Sequence, residues 1–177
     1  MKRDPRIVFE KAGAEEISAL VDLRIAYIKE DHGGLTEDTE KRLRSVLPTY
    51  FTGHLNRDLF VYTARDGAIV SCAFLVVAEL PANPSFITGR IGTVYNVYTA
   101  PDHRRKGLAR RVMRELLTDA EKFGLDFVEL KATKDGYRLY KTLGFQETVS
   151  EYVPMRKYFP IGRDETADVQ EQERTGQ

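Results

Sequence analysis

Between Leu59 and Leu80 the chain passes through two runs rich in β-branched and aromatic residues, Leu59 to Ala64 and Ala68 to Leu80, with Asp66-Gly67 between them. An Asp-Gly pair accepts the positive backbone angles of a tight hairpin turn, so the two runs must fold back on each other as antiparallel strands. A third run, Arg90 to Thr99, gains bulk from Val94, Tyr95, Val97 and Tyr98 and follows the loop Pro81-Ala82-Asn83-Pro84. Pro101 stops it, because proline brings no N–H to a ladder.

The period then changes. Leu108, Val112, Leu116 and Ala120 recur at four-residue steps with Ala109, Met113 and Leu117 beside them, which predicts an amphipathic helix from Gly107 to Phe123, ended by Gly124. Upstream, Ile7 to Phe9 is a short β run, and after Gly13 the residues Ile17, Leu20, Val21 and Ile28 share one side of a helix that Gly33-Gly34 closes. Thr36 to Asp38 offer caps for a second helix through Leu43, Val46, Leu47, Tyr50 and Leu55, with a bend or break expected at Pro48. Downstream, Phe127 to Thr133 reads as a strand, Asp135 to Leu143 as a short helix, and Gly144-Phe145 as the turn into a last β region reaching about Tyr158. Strand, two helices, three strands, helix, strand, helix, strand is the order of a mixed α/β sheet rather than a regular doubly wound one.

A chain of 177 residues with 42% hydrophobic content suits one domain, taken as residues 5–159. Residues 160–177, nearly free of large apolar side chains, are expected to be a mobile acidic tail. Basic and acidic residues number 27 each, so no global field draws the protein to nucleic acid or to an anionic membrane. The single cysteine, Cys72, lies in an apolar run; it excludes an internal disulfide and reads as an inert buried thiol in a reducing compartment. With no apolar stretch long enough for a signal peptide or a bilayer span, the expectation is a soluble, cytoplasmic protein.

Chemistry is expected where the third strand gives way to the helix. In Arg104-Arg105-Lys106-Gly107-Leu108-Ala109, small residues let backbone N–H groups approach a ligand, and the helix start adds unpaired donors with a favourable dipole. Three cationic side chains stand where an anion would sit. Taken alone the run is equally a solvated basic turn; the strand before it and the amphipathic helix after it favour a diphosphate site. A nucleic-acid role is disfavoured, since the helix spends its other face on core packing.

This loop resembles the acetyl-CoA loop of the GCN5-related N-acetyltransferase (GNAT) family, of the form Gln/Arg-x-x-Gly-x-Gly/Ala. The strand Asn96-Val97-Tyr98-Thr99-Ala100-Pro101 and the segment Leu139-Tyr140-Lys141-Thr142-Leu143-Gly144-Phe145 are similar to the family's other signatures, and the element order matches across most of residues 5 to 158. The resemblance implies a mostly antiparallel sheet of six to seven strands, splayed in the middle after the strand ending at Thr99 and flanked by about four helices. It further implies that backbone groups of Val97, Tyr98 and Thr99 face the pantetheine arm, and that Arg104, Arg105, Lys106, Gly107, Leu108, Ala109 and Arg110 bind the pyrophosphate of acetyl-CoA.

Acetyl transfer from a thioester to an amine needs a neutral amine, a polarised carbonyl and a proton for the departing thiolate. Tyr140 matches the family tyrosine that protonates the sulfur, although its spacing with Tyr137 and Leu143 would by itself indicate core. A backbone N–H between Asn96 and Tyr98 would polarise the carbonyl. Some family members carry a glutamate where Thr93 stands, so the base is left among a water chain, Glu30, Glu79 and Tyr95. Arg24, Tyr27, Glu30 and Tyr95 are candidate acceptor contacts, beside Asp31 and His32. The three histidines, His32, His54 and His103, are dispersed, and no metal is expected.

The expected function is therefore acetyl transfer from acetyl-CoA to a primary amine of a small molecule or a peptide, within a ternary complex. The alternative is a non-catalytic acyl-CoA-binding or sensing domain; a structural domain with a merely capping loop is a third. The apolar segment Tyr152 to Phe159 is a candidate for pairing two copies into a homodimer.

Overall fold

The structure is a computed structural model and describes residues 7–149 and 152–159. Residues 7–145 lie in one compact unit. In chain order its elements are β1 (Val8–Lys11), α1 (Ile17–His32), α2 (Glu37–His54), β2 (Leu59–Asp66), β3 (Ala68–Glu79), β4 (Arg90–Thr99), α3 (Leu108–Lys122), β5 (Phe127–Glu129) and α4 (Lys134–Thr142), with 3₁₀ turns at Ala14–Glu16 and Pro101–His103.

The five strands lie in the order β1-β2-β3-β4-β5. The first four are mutually antiparallel, and β5 runs parallel to β4 after the α3 crossover. Gly67, at φ +74°, makes the β2–β3 turn that Asp66-Gly67 predicts. Apolar residues collect on both faces of the sheet. On one, Tyr62, Ala64, Ala73, Leu75 and Val94 meet Leu108, Val112, Met113 and Leu116 of α3 and Tyr140 of α4. On the other, Val61, Cys72 and Phe74 meet Leu20, Val21 and Ile25 of α1 and Phe51 of α2.

Local chemistry accounts for the helix ends. Gly33 closes α1 in the left-handed region at φ +72°, and the Gly34 N–H reaches back to the Lys29 carbonyl at 2.7 Å. Thr36 opens α2 by accepting from the Thr39 N–H at 3.2 Å. The break expected at Pro48 does not occur: α2 is continuous from Glu37 to His54. Proline removes one donor and crowds one turn, and the apolar face that continues to the buried Phe51 holds the helix together across it.

Among the described residues the strand count, five, is lower than the resemblance implies. The strand expected over residues 127–133 stops at Glu129, and residues 152–159, expected to be β, have no regular structure. Aromatic and β-branched residues favour a strand only where a ladder takes up their backbone groups and neighbours cover their side chains; Tyr152, Val153 and Met155 are instead largely exposed. The expected tail, 160–177, lies outside the described residues.

Candidate active site

β4 carries an irregularity that shapes everything around it. Cys72 pairs with Tyr98 but Phe74 with Tyr95, so Ala73 faces two residues of β4, Asn96 and Val97. This is a β-bulge with Asn96 at φ +53°, a conformation that Asn tolerates better than other non-glycine residues. The extra residue shifts the alternation: Val94 and Val97 both turn to the α3 face, and Tyr95 and Tyr98 to the α1–α2 face. Asn96 is 2% exposed. Its Oδ1 accepts from Arg24 Nη1 at 3.3 Å, its Nδ2 donates to Cys72 Sγ at 3.5 Å, and Cys72 Sγ donates to the Asn96 carbonyl at 3.7 Å. Burial pushes the Cys72 thiol up to about 12, in keeping with an inert thiol.

The sheet parts at the same place. β4 pairs with β5 only through Ile91, Gly92 and Thr93, so among the described residues the edge of β4 facing β5 has no partner from Val94 to Thr99. The splay thus begins inside β4, ahead of Thr99, because β5 is only three residues long. The last paired residues, Thr93 and Glu129, bring a carboxylate to the parting, with Thr93 Oγ1 donating to Glu129 Oε1 at 3.5 Å. Linear sequence had left that glutamate unremarked, since only the parallel register sets it beside Thr93.

Beyond Thr99 the chain turns into α3. Arg105 and Gly107 both take left-handed angles, φ +60° and +76°, and Gly107 caps α3 without any side-chain hydrogen bond. The first helical bond is Arg111 N–H to the Gly107 carbonyl at 3.1 Å, so the amides of Leu108, Ala109 and Arg110 precede the ladder. A Cβ at Gly107 would meet nothing within 4 Å, which leaves open space over these amides. Concave turns of this kind, at a helix start, favour anions.

The basic side chains divide. Arg104, expected among the anion-facing cations, is committed elsewhere: Nε donates to the Thr99 carbonyl at 2.9 Å and Nη2 to Glu30 Oε2 at 2.5 Å. The Glu30 carboxylate holds its guanidinium above the usual range. Arg110 Nη2 donates to Thr142 Oγ1 at 3.3 Å, tying α3 to α4. Arg105 and Lys106 make no hydrogen bond or ion pair among the described residues and are exposed.

Tyr140 lies in α4 on the α3 face, 9% exposed, with its ring edge-on to Phe145 at 5.9 Å. Gly136 makes room for it, since a Cβ there would come within 2.8 Å of the ring. Its hydroxyl makes no hydrogen bond among the described residues. Burial, reinforced by Tyr27, pushes the phenol up to about 12, so it keeps its proton throughout the neutral range. Tyr137, expected on the same face, is exposed instead.

The α1–α2 side of the parting is lined by Arg24 and Tyr27 of α1, Tyr50 of α2 and Tyr95 of β4. The Arg24 guanidinium stands 5.6 Å from the Tyr27 ring. Burial lowers its affinity for its proton, against the opposing pull of Tyr27, Asp31, Tyr50 and Tyr95. Tyr50 was read only as part of a helical stripe; the fold makes it a wall residue, half exposed and stacked on His54 at 4.5 Å. Of the carboxylates considered as bases, Glu30 is paired with Arg104, and Glu79 lies opposite Arg90 at the far end of β4. Among the described residues, no three His, Cys, Asp or Glu side chains gather as a metal site, and no helix is long and apolar enough to cross a membrane.

Residues 24–145 match the acetyltransferase (GNAT) family. The chain belongs to that family. A protein of known structure, a predicted acetyltransferase from Clostridium acetobutylicum crystallised with acetyl-CoA, superposes with a TM-score of 0.73 at 29% identity, over 85% of this chain and 96% of that one. The ribosomal protein bS18-alanine N-acetyltransferase of Escherichia coli is 32% identical over 78 residues, 41% of this chain. The match spans about half the length of that curated relative (50%). A ribosomal-protein-alanine N-acetyltransferase from Brucella melitensis shares the GNAT fold at a TM-score of 0.59 and 23% identity, over 85% of this chain and 99% of that one.

Proposed function

We propose that this GNAT protein transfers the acetyl group of acetyl-CoA to a primary amine of a small molecule or a peptide, by direct attack in a ternary complex. The observation that carries the reading is the turn at Arg105 and Gly107, which opens α3 with uncapped amides directly after the unpaired edge of β4. A diphosphate on the amides from Arg105 to Arg110, with Arg105 and Lys106 beside it, leaves the rest of the donor to run along Val97, Tyr98 and Thr99. Arg104 acts indirectly, by fixing the loop to Thr99 and Glu30.

Acetyl-CoA supplies the activated acyl group; the chain supplies position and protons. Tyr140, protonated and without a hydrogen-bond partner among the described residues, gives its proton to the departing thiolate. An amide at the bulge, between Asn96 and Tyr98, polarises the thioester carbonyl. We assign the base to Glu129, which stands at the parting, rather than to Glu30. Pairing of two copies through Tyr152 to Phe159 remains a proposal for light scattering to decide.

Calorimetric titration of acetyl-CoA into the protein tests the cofactor site. Saturable binding is expected, and Gly107→Asp, which adds bulk and negative charge at the turn, is expected to abolish it. Absence of binding by the intact protein would overturn the assignment. An acyl-CoA sensor predicts equal behaviour for Tyr140→Phe, whereas an enzyme with Tyr140 as its acid predicts a kcat loss of ~10²-fold or more with acetyl-CoA affinity kept.

A further inference from the structure

Arg24 is an unusual residue to find at such a place. It lies in the apolar stripe of α1 between Val21 and Ile25, both buried, and extends to the β4 bulge. Its only hydrogen bond among the described residues is to a neutral amide oxygen, Asn96 Oδ1, at a long 3.3 Å. A guanidinium has five donors in a planar fork, and desolvating one without a counter-anion is costly. Among the described residues no carboxylate lies within ion-pair distance of Arg24; Asp31 acts on it only at longer range and stands 3.7 Å from His32. The aromatic rings of Tyr27, Tyr50 and Tyr95 beside it cover it in part without neutralising it.

We infer that the acceptor carries a carboxylate close to its reacting amine, as a free amino acid does, and that Arg24 binds that carboxylate. The inference rests on the acetyl-transfer reading and specifies its acceptor. Arg24 touches the residue at the bulge, so an anion on its fork is held within a few ångströms of the β4 edge where the amine must arrive. A carboxylate matches the site better than a phosphate: of the described groups acting on Tyr27 and Tyr50, Arg24 is the one cation, and Asp31 and Asp58 act on the same rings, so a doubly charged group is the more disfavoured. Glu30, which would favour a cationic acceptor, is already spent on Arg104.

The test is acetyl transfer to matched acceptors: free amino acids, their primary amides and simple alkylamines, each with acetyl-CoA. The intact protein should use the acids at least about tenfold better in kcat/KM than the corresponding amides, the difference lying in KM. Arg24→Gln should bring the acid-to-amide ratio toward one, and Arg24→Lys should keep part of the preference. Acetyl-CoA calorimetry on each variant reports folding independently of the acceptor. Equal use of acids and amides by the intact protein, or an unchanged ratio in Arg24→Gln, would overturn the inference while leaving acetyl transfer standing. Transfer to none of these amines, together with no acetyl-CoA binding, would remove the function itself.

Discussion

At the scale of single residues, the site depends on side chains whose ordinary roles have been altered by where they sit. Tyr140 is a core aromatic with a hydroxyl left over, so Tyr140→Phe should leave thermal stability nearly unchanged while lowering turnover. Cys72 is the counterpart, a potential nucleophile made unreactive by burial and by its bonds with Asn96. Native protein should not react with a thiol reagent on the timescale of minutes, and should react once unfolded in denaturant. Arg104 and Glu30 form an exposed pair, which contributes about 0–1 kcal/mol to stability. Arg104→Ala is therefore expected to leave Tm almost unchanged and to weaken acetyl-CoA binding several-fold, measured by calorimetry.

At the scale of elements, the bulge in β4 governs the site, and its backbone and side-chain roles can be separated. Asn96→Gly retains the positive φ but loses the bonds to Arg24 and Cys72; Asn96→Ala loses both and carries an added backbone cost of about 1–2 kcal/mol. Alanine should lower Tm more than glycine, and an equal loss would show that the side-chain bonds alone matter. This element also shows where sequence reading reaches its limit. The hairpin at Gly67, the amphipathic α3 and the turn at Gly107 were legible because each rests on local chemistry: a turn residue, a four-residue period, a small residue before a helix. The bulge left only a polar residue inside a β run, and its meaning depends on Cys72, twenty-four positions away. The pairing of Thr93 with Glu129 and the capture of Arg104 by Glu30 are likewise products of tertiary contact. The supposed last strand misled for the same reason in reverse: residues 152–159 have the composition of a strand without the ladder that makes one.

At the scale of the whole molecule, stability is divided between two apolar layers that share one sheet. Leu116, wholly buried against β2 and β3 by α3, is expected to cost about 2–5 kcal/mol on truncation to Ala, read by denaturant unfolding. Alkaline pH should act on the same interior. Tyr140 and Cys72 are raised by burial from 10.0 and 9.0 to about 12 each, and Tyr62 is raised as well, by burial and by Asp119. A folded pKa above the unfolded one gives stability that is complete below the unfolded value and is lost as pH climbs to the folded one. Tm should therefore hold steady to about pH 9 and fall between there and pH 12, more gently in Cys72→Ala relative to its own value at neutral pH.

The extra residue in β4 has one more consequence. A strand is normally read in a single frame, odd positions to one side and even to the other, but β4 is read in one frame up to Tyr95 and in the other from Val97 onward. Flattening the bulge with Asn96 kept in the strand would merge the two frames, sending Tyr98 to the α3 layer and Val97 to the α1–α2 layer, whereas deleting Asn96 would leave both where they are. The bulge thus lets a single strand turn Tyr95 and Tyr98, one on either side of it, to the α1–α2 face while Val94 and Val97 stay on the α3 face.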